Sequence, residues 1–117
     1  MAVIYNSKSP RYPIASGRER YHAHTTQLMV VVFDFNDGPG AQPDPPHSHP
    51  HEQITYVAEG RVLFFIGEDQ YELSEGDLIT VPPDVPHRIQ LLTATARLVD
   101  SFSPVREDML AADTGRA

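Results

Sequence analysis

From residue 28 onward the chain is a succession of short apolar runs, each closed by a polar or turn-forming residue. They read "LMVVVFDF" (28–35), "QITYVAEG" (53–60), "RVLFFIG" (61–67), "QYELS" (70–74), "DLITVP" (77–82), "HRIQLL" (87–92) and "ARLVDSF" (96–102). Val, Ile, Phe, Tyr and Thr dominate them, the residues that fit a pleated and half-buried surface. Gly, Pro, Asp and Ser separate them, and "GEDQ" (67–70) and the stretch around Gly60 have hairpin character. Runs of this length at this spacing predict strands of an antiparallel sandwich or barrel, so the fold class is all-β. Two segments break the pattern. Residues 1–27 are polar and irregular and read as an extended N-terminal arm. "PVREDMLAAD" (104–113) has the marks of a short C-terminal helix, with Pro104 near its start and acids in the first turn.

A length of 117 residues fits one domain over 1–117, with a barrel core at about 28–104 and a tail from 105 to 117. A hydrophobic share of 40% fills a single core. The net charge of −7 argues against nucleic acid as a partner, because a phosphate backbone is held by basic surfaces. No apolar stretch approaches the roughly 20 residues of a membrane helix. The first ten residues lack a basic segment followed by an apolar one, and a cytoplasmic location is the expectation. With no cysteine, thiolate chemistry is excluded and any metal site must be built from His, carboxylate or amide groups.

The stretch "HSHPHEQ" (47–53) carries such groups. Side chains alternate along a strand, so His47 and His49 share a face, Gln53 returns to it, and Glu52 points away. His51 follows Pro50, where a strand bends, and is expected to be a bystander. His47, His49 and Gln53 are therefore candidate ligands, against the plainer reading of a polar surface loop. The pair His22 and His24 has the same spacing but no further ligand after it, and reads as a surface or strand-edge pair.

A second signal lies in "EGDLITVPPDVPHRIQ" (75–90), where a Gly-Asp turn, a short strand and two prolines precede His87. Together the two stretches resemble the paired motifs of the cupins. His47, His49, Gln53 and Gly60 match the first motif, and Gly76, Pro82 and His87 the second. Gln53 replaces the usual glutamate, Asp84 a glycine and Leu91 an asparagine, and the leading glycine, Gly40, is shifted. The resemblance covers about residues 28–104 and implies a jelly-roll β-barrel, with His47, His49, Gln53 and His87 holding one divalent metal ion. Three imidazoles and an amide oxygen suit Zn, Ni, Fe, Mn or Co. Because all four ligands are neutral, the ion keeps its full double charge and favours an anionic substrate. The cupin resemblance also implies a homodimer, for which "LMVVVFDF" is a candidate edge strand.

In "LVDSFSPVRED" (98–108), alternation puts Leu98, Asp100 and Phe102 on one face. A carboxyl group among apolar neighbours is costly to bury, and its pKa is expected to rise toward the range of a general acid–base. Arg106, after a Ser-Pro turn, could fold over the barrel mouth and grip a carboxylate with its planar fork. The plainer alternative has Asp100 in solvent and Arg106 paired with Glu107 or Asp108. "HSHPHEQ" with "DSFSPVREDML" resembles the pectin-degradation cupins of the KdgF type. That resemblance implies metal-dependent ring opening of unsaturated monouronates from pectin or alginate to linear 4-deoxy keto forms. It places His47, His49, Gln53 and His87 on the metal, and Asp100, Phe102 and Arg106 at a small anionic sugar acid. Two other readings compete: an Fe(II)-dependent dioxygenase, recognisable by O₂ consumption, and a sugar- or metal-binding sensor, recognisable by binding without turnover.

Overall fold

The computed structural model describes residues 1–114, so the last three residues of the expected tail lie outside the described residues. Among the described residues nine strands and one helix follow one another: β1 Tyr12–Ala15, β2 Arg18–His24, β3 Met29–Phe35, β4 Glu52–Glu59, β5 Val62–Ile66, β6 Asp69–Leu73, β7 Leu78–Val81, β8 His87–Leu91, β9 Ala96–Ser103 and α1 Glu107–Thr114. They form two antiparallel sheets, one of six strands in the order β1-β2-β3-β9-β4-β7 and one of three in the order β6-β5-β8. The sheets make a jelly-roll sandwich, and every apolar run of the sequence supplies a strand. β5 and β6 join through the expected tight turn at Gly67, whose φ of 56° is easy only for glycine. Between β4 and β5, Gly60 has φ 82°, and a Cβ there would lie 2.5 Å from the Thr95 carbonyl oxygen.

The N-terminal segment departs from expectation. Residues 12–24, read as irregular arm, form the β1–β2 hairpin, and β2 pairs along its whole length with β3. The alternation was hidden because the residues of β2 beside Phe35, Phe33 and Val31 are Arg18, Arg20 and His22, charged or polar rather than apolar. β3 is consequently interior, bonded to β2 on one side and β9 on the other. It is not the free edge expected for pairing between subunits.

Val57, Val62, Phe64, Leu91 and Leu98 pack between the sheets, and burying each such side chain contributes roughly 1.5–3 kcal/mol. A second cluster, Met29, Val31, Phe102 and Val105, is covered by Met109 and Leu110 of α1. The outward side of the six-stranded sheet is also apolar: Val30, Ile54, Tyr56 and Leu78 are 41–64% exposed.

Helix α1 is tied down by a buried ion pair. Asp113, 2% exposed, accepts from Nε and Nη2 of Arg20 at 2.7–3.2 Å, and His22 Nε2 lies 3.0 Å from it. His22 is therefore half-buried against the helix, whereas His24, its partner in sequence, is exposed. Removing one member of a buried pair leaves the other charge uncompensated. Asp113→Ala is expected to cost about 3–5 kcal/mol of folding stability, read from urea unfolding; a change within about 0.5 kcal/mol would contradict the burial of this pair.

Candidate metal centre

Within "HSHPHEQ" only Glu52 and Gln53 are in a regular strand, so His47 and His49 do not reach the interior by strand alternation alone. His47 instead exchanges both backbone hydrogen bonds with His87, at 2.9 and 3.0 Å, in an isolated bridge that stitches its loop to β8. Asp84, at φ 62°, donates its backbone N–H to the His49 carbonyl at 2.8 Å and so fixes the next turn of the same loop. From β4, Gln53 enters the interior, and β4 alternates as expected: Gln53, Thr55 and Val57 are buried while Glu52, Ile54 and Tyr56 are exposed.

These placements bring His47, His49 and His87 together, one potential ligand atom of each lying within 4.8 Å of the others. Gln53 Oε1 stands 2.9 Å from His49 Nε2. Glu52 lies on the outer side of the sheet, opposite Ser103 of β9, and is no part of the cluster. His51 contributes its carbonyl oxygen, 3.1 Å from His49 Nδ1.

The hydrogen bonding of the cluster asks for a cation. A backbone carbonyl only accepts, so Nδ1 of His87, 2.9 Å from the Val85 oxygen, carries the ring proton. His87 Nε2 is then a bare lone pair, buried and without a hydrogen-bond partner. His49 faces carbonyl oxygens at both nitrogens, His51 O and Gln53 Oε1, and a neutral imidazole has only one proton to give. A divalent ion at the Nε2 side satisfies both rings at once, and a backbone carbonyl on Nδ1 is a common way of orienting a ligating histidine. The residues present therefore fit a metal ion, which His47, His49 and His87 could hold together, with Gln53 Oε1 beside them.

The electrostatics agree. Burial pushes the His47 pKa down to about 4, helped by the neighbouring His87, His49 and Arg106. Burial also lowers His49 and His87, and the positive charge of Arg106 acts in the same direction. All three rings are thus neutral near pH 7, the form that ligates metals.

Asp100 enters from β9, opposite Thr55 of β4. Burial raises its pKa to about 7, although the Thr55 hydroxyl and the Arg106 charge both favour the ionised form. Thr55, fully buried, donates to Asp100 Oδ1 at 2.6 Å and accepts from Gln53 Nε2 at 2.9 Å. Phe102, opposite Gln53, sets its ring edge-on to His49 at 5.6 Å and beneath the Arg106 guanidinium at 5.0 Å. Arg106 is 8% exposed and lines a cavity of about 230 Å³ with His47, Gln53, His87 and Asp100. Nε and Nη2 of Arg106 also donate to both oxygens of Asp108, at 2.9 and 2.7 Å. Both sequence alternatives for Arg106 are thus realised together, since it faces the cavity and is braced by Asp108.

Thr55 and the Arg18–Asp44 pair on the cavity wall were not anticipated from the sequence. Thr55 lies two positions after Gln53, so the alternation that selected Gln53 also points to it. Arg18 lay in the segment read as irregular.

Residues 33–102 match the cupin-domain family. The chain belongs to the cupins. Among its relatives, the pectin degradation protein KdgF of Dickeya dadantii is 34% identical over 84 residues, which is 71% of this chain and 74% of that protein. An uncharacterised protein of Methanocaldococcus jannaschii is 40% identical over 45 residues, 38% of this chain and 36% of that one. The match thus spans about a third of that relative's length. Among solved structures, KdgF from a Halomonas species superimposes with a TM-score of 0.84 at 31% identity, covering 93% of this cupin and 98% of the other chain.

The shifted groups give this cupin a pH signature when metal-free. For the histidines, whose folded pKa values are depressed, stability is present above about pH 6.5 and is lost as pH falls toward 4. For Asp100, whose folded pKa is raised, stability is present at low pH and is lost as pH rises through about 7. The two slopes oppose each other. Asp100→Asn should therefore steepen the loss of urea resistance between about pH 7.5 and about pH 5 relative to wild type; parallel curves would contradict these shifts.

Proposed function

We propose that this cupin opens the ring of 4,5-unsaturated monouronates released from pectin or alginate, giving linear 4-deoxy keto acids. The observation that carries this reading is a carboxyl group with a pKa of about 7, Asp100, in one cavity with a three-histidine, one-glutamine cluster and an arginine. Similarity to two KdgF proteins over most of the chain supports the substrate class.

The reaction is an isomerisation and needs no oxidant. Asp100 takes the proton of the anomeric hydroxyl as the bond between C1 and the ring oxygen breaks. The ring oxygen leaves C1 as an enolate on C5, and Asp100 returns the same proton to C4, which turns the enolate directly into the C5 ketone. A group with a pKa near the working pH both accepts and returns a proton readily, which typically contributes 10²–10⁴-fold. A divalent ion bound at the four ligands would polarise substrate oxygens and offset their developing charge. Arg106, held in place by Asp108, presents its remaining N–H groups to the substrate carboxylate. Phe102, itself 2% exposed, supports the Arg106 guanidinium and the His49 ring from below, so its support of the site is mainly indirect.

Homodimeric assembly and a cytoplasmic location belong to the same proposal. For the dimer, the support is the exposed apolar row of Val30, Ile54, Tyr56 and Leu78 on the outer side of the six-stranded sheet.

The test follows the ultraviolet absorbance of the unsaturated uronate. Wild type should accelerate its loss, and Asp100→Asn and His47→Ala should each reduce kcat/KM by about 10²-fold or more. Arg106→Ala should act mainly through KM. Wild-type rates in either Asp100→Asn or His47→Ala would overturn the scheme, and uptake of O₂ during turnover would point to an oxygenase instead.

A further inference from the structure

An amide is an ambiguous ligand. Its oxygen binds a cation and its NH₂ repels one, and the two ends have nearly the same shape. A glutamate at the same place has no such ambiguity, so a site that uses Gln53 needs something that decides which end faces the ion.

The neighbourhood of the amide supplies it. Thr55 is fully buried two residues away on the same face of β4, and its hydroxyl lies 2.9 Å from Gln53 Nε2 and 2.6 Å from Asp100 Oδ1. A hydroxyl has one proton. The structure directs that proton to Asp100 Oδ1, so Thr55 Oγ has only lone pairs to offer Gln53. The amide must then turn its NH₂ to Thr55, which leaves Oε1 toward His49 Nε2 at 2.9 Å and into the histidine cluster. Asp100 Oδ2, 3.4 Å from the same NH₂, pulls in the same direction. The chain of acceptors and donors runs one way, from amide to hydroxyl to carboxylate.

We propose that Thr55 is a positioning residue for the metal ligand Gln53, passing the acceptor character of Asp100 to the amide and so aiming its oxygen at the ion. Asp100 thereby acts on metal affinity without touching the metal. The proposal rests on the metal centre and is independent of the uronate chemistry. It also gives Gln53 a reason of its own: a glutamate there would set a second carboxylate beside Asp100, with Thr55 able to donate to only one of the two.

The experiment measures dissociation constants of Zn²⁺ and Ni²⁺ for the metal-stripped full chain by competition with a chromophoric chelator. No substrate is involved. Partners that orient metal ligands typically contribute 10–100-fold to affinity, so Thr55→Val and Asp100→Ala should each weaken binding by about that factor. Thr55→Ser, which keeps the hydroxyl, should stay within about threefold of wild type. The diagnostic step repeats Thr55→Val in a Gln53→Glu background, where either oxygen can face the ion and no aiming is required; there the loss should shrink to about threefold or less. A purely coulombic role for Asp100 gives a different result, because Thr55→Val leaves that charge in place and would not weaken binding. Equal affinity of Thr55→Val and wild type, or an equal loss in both backgrounds, overturns the proposal. Should Thr55→Val fail to fold, Asp100→Ala in the two backgrounds decides the matter by the same comparison. A wild-type chain that takes up neither ion would overturn the metal centre itself, and the proposal with it.

Discussion

The site depends on the antiparallel pairing of β4 with β9. Its register sets Gln53 opposite Phe102 and Thr55 opposite Asp100, four inward-facing side chains in two adjacent cross-strand pairs. Directly opposed residues on one face of a sheet are close enough to hydrogen-bond, and a slip of either strand by one position would turn its two members of the set to the outer side. Interior packing holds that register, with Val57 facing Leu98 one pair further along. The second sheet delivers His87, and the bridge between His47 and His87 draws the histidine loop onto it. Neither sheet alone brings the three histidines and Gln53 together.

Charge balance explains the choice of residues. Three neutral imidazoles and a neutral amide would leave the positive charge of an ion held among them undiminished. Asp100 lies one hydrogen bond behind the amide, where burial keeps it near half-protonation at about pH 7. Arg106 adds a second positive charge at the cavity, lowers the histidine pKa values and is braced by Asp108. A positive charge and a carboxyl group with a pKa raised to about 7 are thus placed in one cavity of about 230 Å³.

Much of this was legible in the chain, for physical reasons. The strands of the core stood out because β-branched and aromatic residues alternate with turn residues. The members of the site could be picked out because polar groups recur on inward positions of otherwise apolar strands: Gln53 in β4 and Asp100 in β9. The same feature concealed β2, whose Arg18, Arg20 and His22 face acidic partners; two of them, Asp44 and Asp113, lie 26 and 93 residues away, which no local pattern reveals. The free edge assigned to β3 failed for the same cause, since its missing neighbour was that unrecognised strand. Thr55 escaped notice because a threonine in a strand is ordinary by propensity, and its role appears only when Asp100 is seen across from it. His47 and His49 came together with His87 by a different route from simple alternation, through a loop pinned to β8 and to Asp84.

The most direct measurement of the central claim is anomalous diffraction from crystals loaded with a single divalent ion. One peak should lie in the cavity, bonded to ring nitrogens of His47, His49 and His87 and to the side-chain oxygen of Gln53, with Asp100 one hydrogen bond removed. Coordination by Glu52, by His51 or directly by the Asp100 carboxylate would contradict the account.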